Sequence, residues 1–63
     1  MIAWDHIKEG DRVEFDTCDD REPPRLEGTV ISTWSRPVQL DIRDDRQRVW
    51  VRRAQDVIFV TRT

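Results

Sequence analysis

Apolar and polar residues alternate along most of this chain with a period of two, which is the pattern of β-strands with one buried face. In residues 11–15, Val13 and Phe15 share one face, and Arg12 and Glu14 share the other. No segment has the apolar period of a long helix. The pattern predicts an all-β protein with five strands, at residues 11–15, 26–35, 38–43, 48–52 and 57–62.

Two of these strands are unusual. The second is long, and its alternation sets Trp34 on the same face as Leu26 and Val30, which favours the core or a rim for Trp34. Gly28 near its start predicts a bulge or a strong bend. The last strand is apolar on both faces over residues 57–60 and is predicted to be covered on both sides.

The connections differ in length. Residues 16–25 are polar, acidic and contain two adjacent prolines, so they predict a long irregular first loop. The shorter predicted connections are a helical turn from Asp5 to Gly10 with Trp4 and Ile7 as its apolar residues, a turn at Ser35-Arg36-Pro37, and one 3₁₀ turn at 53–56.

The hairpin between the third and fourth strands decides which way Trp50 points. A two-residue turn at Asp44-Asp45 sets Leu40 opposite Val49, and a four-residue turn sets Ile42 opposite Val49. Both registers bury the valines at 49 and 51. Both therefore predict that Trp50 lies on the outer face.

Length and composition indicate one small folded domain spanning residues 1–63. The 63 residues are 37% hydrophobic and 38% charged, and a domain of this size has little room for a deep cavity. Cys18 is the only cysteine, which excludes an intramolecular disulfide, and no apolar run marks a signal peptide or a membrane span. We expect a cytoplasmic protein, and the preference for arginine over lysine favours a prokaryotic or phage origin.

Charge is divided unevenly between the two halves. Residues 1–27 hold nine acidic and four basic residues, a net charge of −5, whereas residues 28–63 hold seven arginines and four aspartates, a net charge of +3. Such asymmetry indicates either an interaction face or electrostatic pairing of the halves inside one domain. The sequence leaves both interpretations open.

Five short strands, a long first loop and a one-turn link before the last strand resemble the SH3-like small barrel. Residues 7–15 (IKEGDRVEF) and 27–31 (EGTVI) look like the opening of its KOW and Tudor-like members, and the resemblance extends over about residues 7 to 61. It implies a binding module whose partners are RNA, DNA, ribosomal or transcription proteins, or modified peptides. The acidic first loop departs from the basic loops of many nucleic-acid-binding members.

The strongest candidate site is a basic, tryptophan-bearing face of the third and fourth strands. Guanidinium groups bind phosphates, and an exposed indole stacks on bases, so this face predicts binding of single-stranded nucleic acid. The structural alternative is that Trp50 fills a second small core beneath Trp4 and Ile7. The predicted contact residues are Arg43, Arg46, Arg48, Trp50 and Arg52.

The alternative function is a protein or peptide adaptor that uses an exposed strand edge or an aromatic surface, with self-association possible. Trp34 and Phe15 could wall a cage for a cationic side chain drawn in by the acidic loop. The homo-oligomer and the peptide complex are both left open by the sequence.

Metal and catalytic chemistry are disfavoured by the residue inventory. His6 and Cys18 are single and far apart, which is short of a zinc set, and the acids of residues 16–22 lack the spacing and glycine of an EF-hand loop. Neither Ser32 nor Ser35 lies in a nucleophile elbow. We therefore expect no enzyme activity, no cofactor and no small-molecule substrate.

Overall fold

Five β-strands and one 3₁₀ turn make up the computed structural model, which describes residues 6–35 and 38–61. The predicted all-β class, the long first loop and the short turn before the last strand are confirmed. The elements are β1 (Arg12–Asp16), β2 (Arg25–Ser35), β3 (Val38–Asp44), β4 (Val49–Arg52), the 3₁₀ turn (Ala54–Asp56) and β5 (Val57–Thr61).

The strands form one antiparallel sheet in the order β4-β3-β2-β1-β5. In a flat sheet β4 and β5 would lie about 19 Å apart. Trp50 of β4 and Val57 of β5 nevertheless pack on the same core cluster, so the sheet curves around it. Within the described residues no ladder joins β4 to β5, and the sheet stays open where a barrel would close. The core residues are Ile7, Val13, Phe15, Val30, Leu40, Ile42, Ala54 and Val57.

The long strand β2 belongs to both halves of the sheet. Gly28 pairs with Val13 of β1 and with Asp44 of β3, and a Cβ at this position would lie 2.5 Å from the backbone oxygen of Arg43. The close approach explains the glycine. Gly28 itself keeps its register with both neighbouring strands, and the irregularity of this strand lies further along, as a register shift between Val30 and Ser32.

That shift changes the face on which Trp34 lies. Val30 pairs with the buried Ile42, but beyond the shift Thr33 pairs with Leu40 and Trp34 pairs with Gln39. The alternation that set Trp34 with Val30 is broken by one residue. The predicted core or rim position of Trp34 is therefore wrong, and its side chain is 51% exposed on the outer face.

The hairpin between β3 and β4 also differs from both predicted registers. Arg43 pairs with Val49 and Ile42 pairs with Trp50, around a loop of three residues, Asp45 to Gln47. Gln47 has a φ of +67°, as expected for a type I turn closed by a left-handed residue. A shift of one residue moves every side chain of a strand to the other face. Trp50 is consequently directed inward, and the two valines are directed outward.

The last strand is covered on one side only, contrary to the prediction. Val57 is buried, but Ile58 and Phe59 are exposed. Phe59 pairs with Glu14, whereas the next pair is Phe15 with Val57, so Ile58 is the extra residue of a bulge. The exposure of both side chains shows that this part of β5 is open to solvent, and β5 is also an edge of the sheet among the described strands.

Some predictions concern residues that the structure does not describe. The helical turn capped by Asp5, the packing of Trp4, and the turn formed by Arg36 and Pro37 lie outside the described ranges. Within those ranges, no helix has the length and apolar character needed to cross a membrane.

Candidate interaction surface

The β3–β4 hairpin is organised around the carboxylate of Asp44, whose side chain is 3% exposed. One oxygen accepts the backbone N–H groups of Arg46 and Arg48, each at 2.9 Å. The other accepts Arg48 Nε and Trp50 Nε1, each also at 2.9 Å. Burial acts to raise the pKa of Asp44, but these hydrogen bonds to the charged form outweigh it and hold the pKa at about 2.

Trp50 is part of this hairpin structure and is not an open stacking platform. Its ring lies 5.8 Å from that of Phe15, and the guanidinium carbons of Arg48 and Arg52 lie 5.3 and 5.1 Å from its centroid. The indole N–H is donated to Asp44. The predicted outer position of Trp50 is therefore wrong. Its role is structural, but the ring packs against the main core cluster beside Phe15 and not in a second core on the outer face; the predicted cover by Trp4 lies outside the described residues.

The two arginines beside Trp50 fasten the first loop to β4. Arg48 donates to both carboxylate oxygens of Glu22, at 2.5 and 3.2 Å, and this pairing lowers the pKa of Glu22. Arg52 donates to the backbone oxygens of Asp16 and Thr17. Within the loop, the buried Thr17 donates its hydroxyl to the Pro23 oxygen at 2.7 Å. The acidic loop thus pairs with the basic half of the chain.

The five residues predicted to bind nucleic acid do not form one strip. Arg48, Trp50 and Arg52 lie on the inner side of β4, whereas Arg43 is exposed on the outer face and Arg46 is exposed in the hairpin loop. A pocket beside Arg46 and Arg48 also presents four carboxylates, which disfavour phosphate. Its acidic lining residues are Glu22, Glu27, Asp44 and Asp45.

The two residues of the predicted aromatic surface, Phe15 and Trp34, also lie on different faces of the sheet. Phe15 is fully buried, and Trp34 is exposed on the opposite face of the sheet, so they do not wall a common cage. The indole N–H of Trp34 donates to Asp41 at 3.1 Å. Because Asp41 pairs with Val51 of β4, this bond extends the exposed surface of Trp34 across β3 toward β4.

An apolar surface that the sequence did not reveal lies on the outside of this hairpin. Val49 and Val51 are 53% and 51% exposed, and Trp34 lies nearby across β3. Their strand, β4, is also the edge of the sheet. We call Trp34, Val49, Val51 and the outward edge of β4 the β4 surface. The sequence signal that could have revealed it is Asp44, because its carboxylate can cap the N–H groups two and four residues later and so close a three-residue loop at 45–47.

Among the described residues, no group of three or more histidine, cysteine, aspartate or glutamate side chains is arranged to hold a metal ion. No family model, curated protein or solved structure matches this chain. The interpretation of its function therefore depends on the geometry of the β4 surface and of the hairpin that supports it.

Proposed function

We propose that this chain is a small non-enzymatic binding module of the SH3-like type, and that it binds a protein partner through the β4 surface. The observation that carries the proposal is the coincidence of exposed apolar side chains with an unpaired sheet edge. Val49, Val51 and Trp34 are each about half exposed, and among the described strands β4 has a neighbour on one side only.

An apolar sheet edge is a site where a strand from another chain can add. Proteins commonly protect such edges with charged or proline residues, and the outward side chains of β4 are both valine. The long β2 shared by two ladders, together with the turn before β5, supports the SH3-like assignment. The single exposed thiol of Cys18 supports a reducing compartment such as the cytoplasm.

Nucleic-acid binding is the second candidate, and Arg43 and Arg46 favour it. Both are exposed, and neither forms a salt bridge within the described part of the chain. The proposal through Trp50 is weaker because its ring is already flanked by Arg48 and Arg52. Two exposed guanidinium groups without a stacking partner supply fewer contacts than the protein-binding surface.

The two candidates can be separated by NMR titration. The probes are extended peptides of acidic, neutral and basic composition and a single-stranded oligothymidylate at low salt. For protein binding we expect shifts in the methyl signals of Val49 and Val51 and in the Trp34 indole signal, with Val13 as the buried reference. Shifts confined to Arg43 and Arg46 with the oligonucleotide would favour nucleic acid, and no shift with any probe would refute both.

A matched pair of variants tests the location of binding. Val51→Lys places a charge on the β4 surface, and Phe59→Lys makes the same kind of change at an exposed residue of β5. We expect Val51→Lys to abolish the peptide-induced shifts and Phe59→Lys to retain them. Equal loss in both variants would show that the β4 surface is not the contact region.

A further inference from the structure

We propose further that the segment bound at the β4 surface is an extended chain in which apolar residues alternate with aspartate or glutamate, added to β4 as a sixth strand. This inference rests on the proposed function and specifies the chemistry of the partner. It follows from three properties of β4: its backbone groups at the sheet edge, its two unlike faces and the side chain of Arg52, which forms no salt bridge within the described residues.

The backbone of β4 can accept another strand. Asp44 N–H donates to the Arg48 oxygen at 2.9 Å, so these two residues form a hydrogen-bonded pair of the β3–β4 ladder. Bonded and non-bonded pairs alternate in an antiparallel ladder. Trp50 therefore bonds to β3, and Val49 and Val51 direct their N–H and C=O groups away from it. The Val51 oxygen already accepts Arg52 Nη1 at 2.8 Å, and its second lone pair is available to another donor. An added strand would find these groups at the edge.

The two faces of β4 select different side chains in that strand. Val49 and Val51 are on the outer face, and Arg48, Trp50 and Arg52 are on the inner side. Directly opposed residues of neighbouring strands contact each other, and apolar pairs and opposite charges are both favourable. A strand with apolar residues outward and carboxylates inward therefore complements both faces. Alternation is the only arrangement that puts these two kinds of residue on opposite faces of a strand.

Of the two arginines on the inner side of β4, Arg48 is bound to Glu22 and Asp44, and Arg52 has no carboxylate within salt-bridge distance among the described residues. Arg52 donates to three backbone oxygens, those of Asp16, Val51 and Thr17, and forms no salt bridge among the described residues. Arg43 and Arg46 likewise lack a salt bridge within the described ranges. Charged hydrogen bonds to carboxylates are stronger than those to neutral carbonyls. A carboxylate in the partner would give Arg52 the charged acceptor that it lacks.

A second copy of the chain fits less well. An antiparallel β4–β4 pair centred on Trp50 would set Arg48 opposite Arg52 of the other copy. Like charges directly opposite each other destabilise a strand pair. The valines would match, but Arg52 would meet a second arginine instead of a carboxylate, and Arg48 is already bound to Glu22 and Asp44. The charge of β4 thus favours a partner with acidic residues over self-pairing.

The test uses three synthetic peptides that differ only in the charged position, namely Ser-Glu-Val-Glu-Val-Glu-Val-Ser and the same sequence with glutamine or lysine in place of glutamate. Binding is followed through the Val49 and Val51 methyl signals. We expect the glutamate peptide to bind about fivefold or more tightly than the glutamine peptide at low salt, and the lysine peptide most weakly. The difference should shrink as salt is added.

A fourth peptide carries N-methyl groups on its glutamate residues, which removes N–H donors from one edge of the strand, and a fifth carries them on its valines. We expect one of the two to lose binding, because an added strand uses only one edge. Retained binding by both would overturn strand addition. Equal binding of the glutamate and glutamine forms, or preference for lysine, would overturn the acidic partner while leaving the proposed function standing. Absence of binding by every peptide would overturn both.

Arg52→Gln adds a check within the protein. It should reduce the preference for glutamate over glutamine to about half or less, since the neutral side chain cannot form the ion pair. Because Arg52 also holds the first loop, folding of the variant is checked by its Val13 methyl signal. If the variant does not fold, the peptide series on the unaltered protein still decides the question. An unchanged preference in folded Arg52→Gln would refute the role of Arg52.

Discussion

Asp44→Asn is the substitution that best tests whether the hairpin is organised as described. The two side chains have nearly the same shape, so the change leaves packing almost unaltered. It removes the charge and replaces one accepting oxygen by an NH₂ donor. Four N–H donors surround Asp44, and two of them would then face another donor. These two are either the backbone N–H groups of Arg46 and Arg48 or the side-chain donors of Arg48 and Trp50.

The expected loss of stability can be estimated from the pKa of Asp44. The fall from 3.8 to about 2 corresponds to about 2 kcal/mol of preference for the charged form in the folded protein. Protonating the group in the folded protein costs about this amount. An unpaired donor in a site that is 3% exposed adds about 1 kcal/mol. We therefore expect Asp44→Asn to lower the free energy of unfolding by about 3 kcal/mol at neutral pH.

The pH dependence gives an independent measurement. Since the pKa of Asp44 is lower in the folded protein than the ordinary value of 3.8, its contribution is complete above pH 3.8 and is lost as the pH falls through about 2. Urea unfolding followed by tryptophan fluorescence, repeated across this range, should show a steeper acid loss in the unaltered protein than in Asp44→Asn.

The neighbouring residue provides the control. Asp45 pairs with Arg12 at 2.9 Å, but its side chain is 73% exposed, so Asp45→Asn should change stability by less than about 0.5 kcal/mol. Equal effects of the two substitutions, or parallel pH curves for Asp44→Asn and the unaltered protein, would refute the central role of Asp44.

Three further substitutions test other parts of the fold. Trp50→Ala should lower the free energy of unfolding by about 2–4 kcal/mol, below the full cost for a buried tryptophan because the ring is partly exposed; a loss under about 1 kcal/mol in urea unfolding would contradict its packing on Phe15. Gly28→Ala should lower the free energy of unfolding by about 1–3 kcal/mol in the same urea measurement, because the added Cβ would meet the backbone of Arg43. A neutral effect would show that β2 and β3 separate easily. Arg52→Met should keep the fold but speed amide hydrogen exchange at Thr17, and unchanged protection there would mean that Arg52 does not hold the loop.

The strands could be predicted from the alternation of apolar and polar residues, but the face of the sheet on which each side chain lies could not. The period of two identifies a strand wherever one face is buried, and it correctly located β1, where Val13 and Phe15 are both in the core. The face on which a side chain lies depends on the register of its strand, and the length of the hairpin loop sets that register. Two- and four-residue turns at Asp44 both keep Trp50 outside, and only an odd loop length brings it inward.

The information that fixes the loop length is the side chain of Asp44. Its carboxylate caps the N–H groups two and four residues later, which closes a loop containing Gln47 in the left-handed conformation. Aspartate in a turn is usually exposed, and its burial depends on donors from Trp50 and Arg48 that come together only in the folded hairpin. The displacement of Trp34 has a similar origin, because a bulge at Ile31 leaves no distinct sequence signal.

The inner side of β4 stabilises the fold, and its outer side is available for binding, whereas the sequence alone predicts both roles for one face. On the inner side, Arg48 and Arg52 bind the first loop and flank Trp50, so the residues best suited to nucleic acid contribute to stability. On the outer side, Val49 and Val51 make no comparable contribution and stay exposed at an edge. The fold does not require valine at these two exposed positions. Polar residues there would leave the core unchanged and would lower the risk of aggregation at the edge. Their presence at the edge is explained if a partner strand covers them, and this makes the β4 surface a stronger candidate than the arginines behind it.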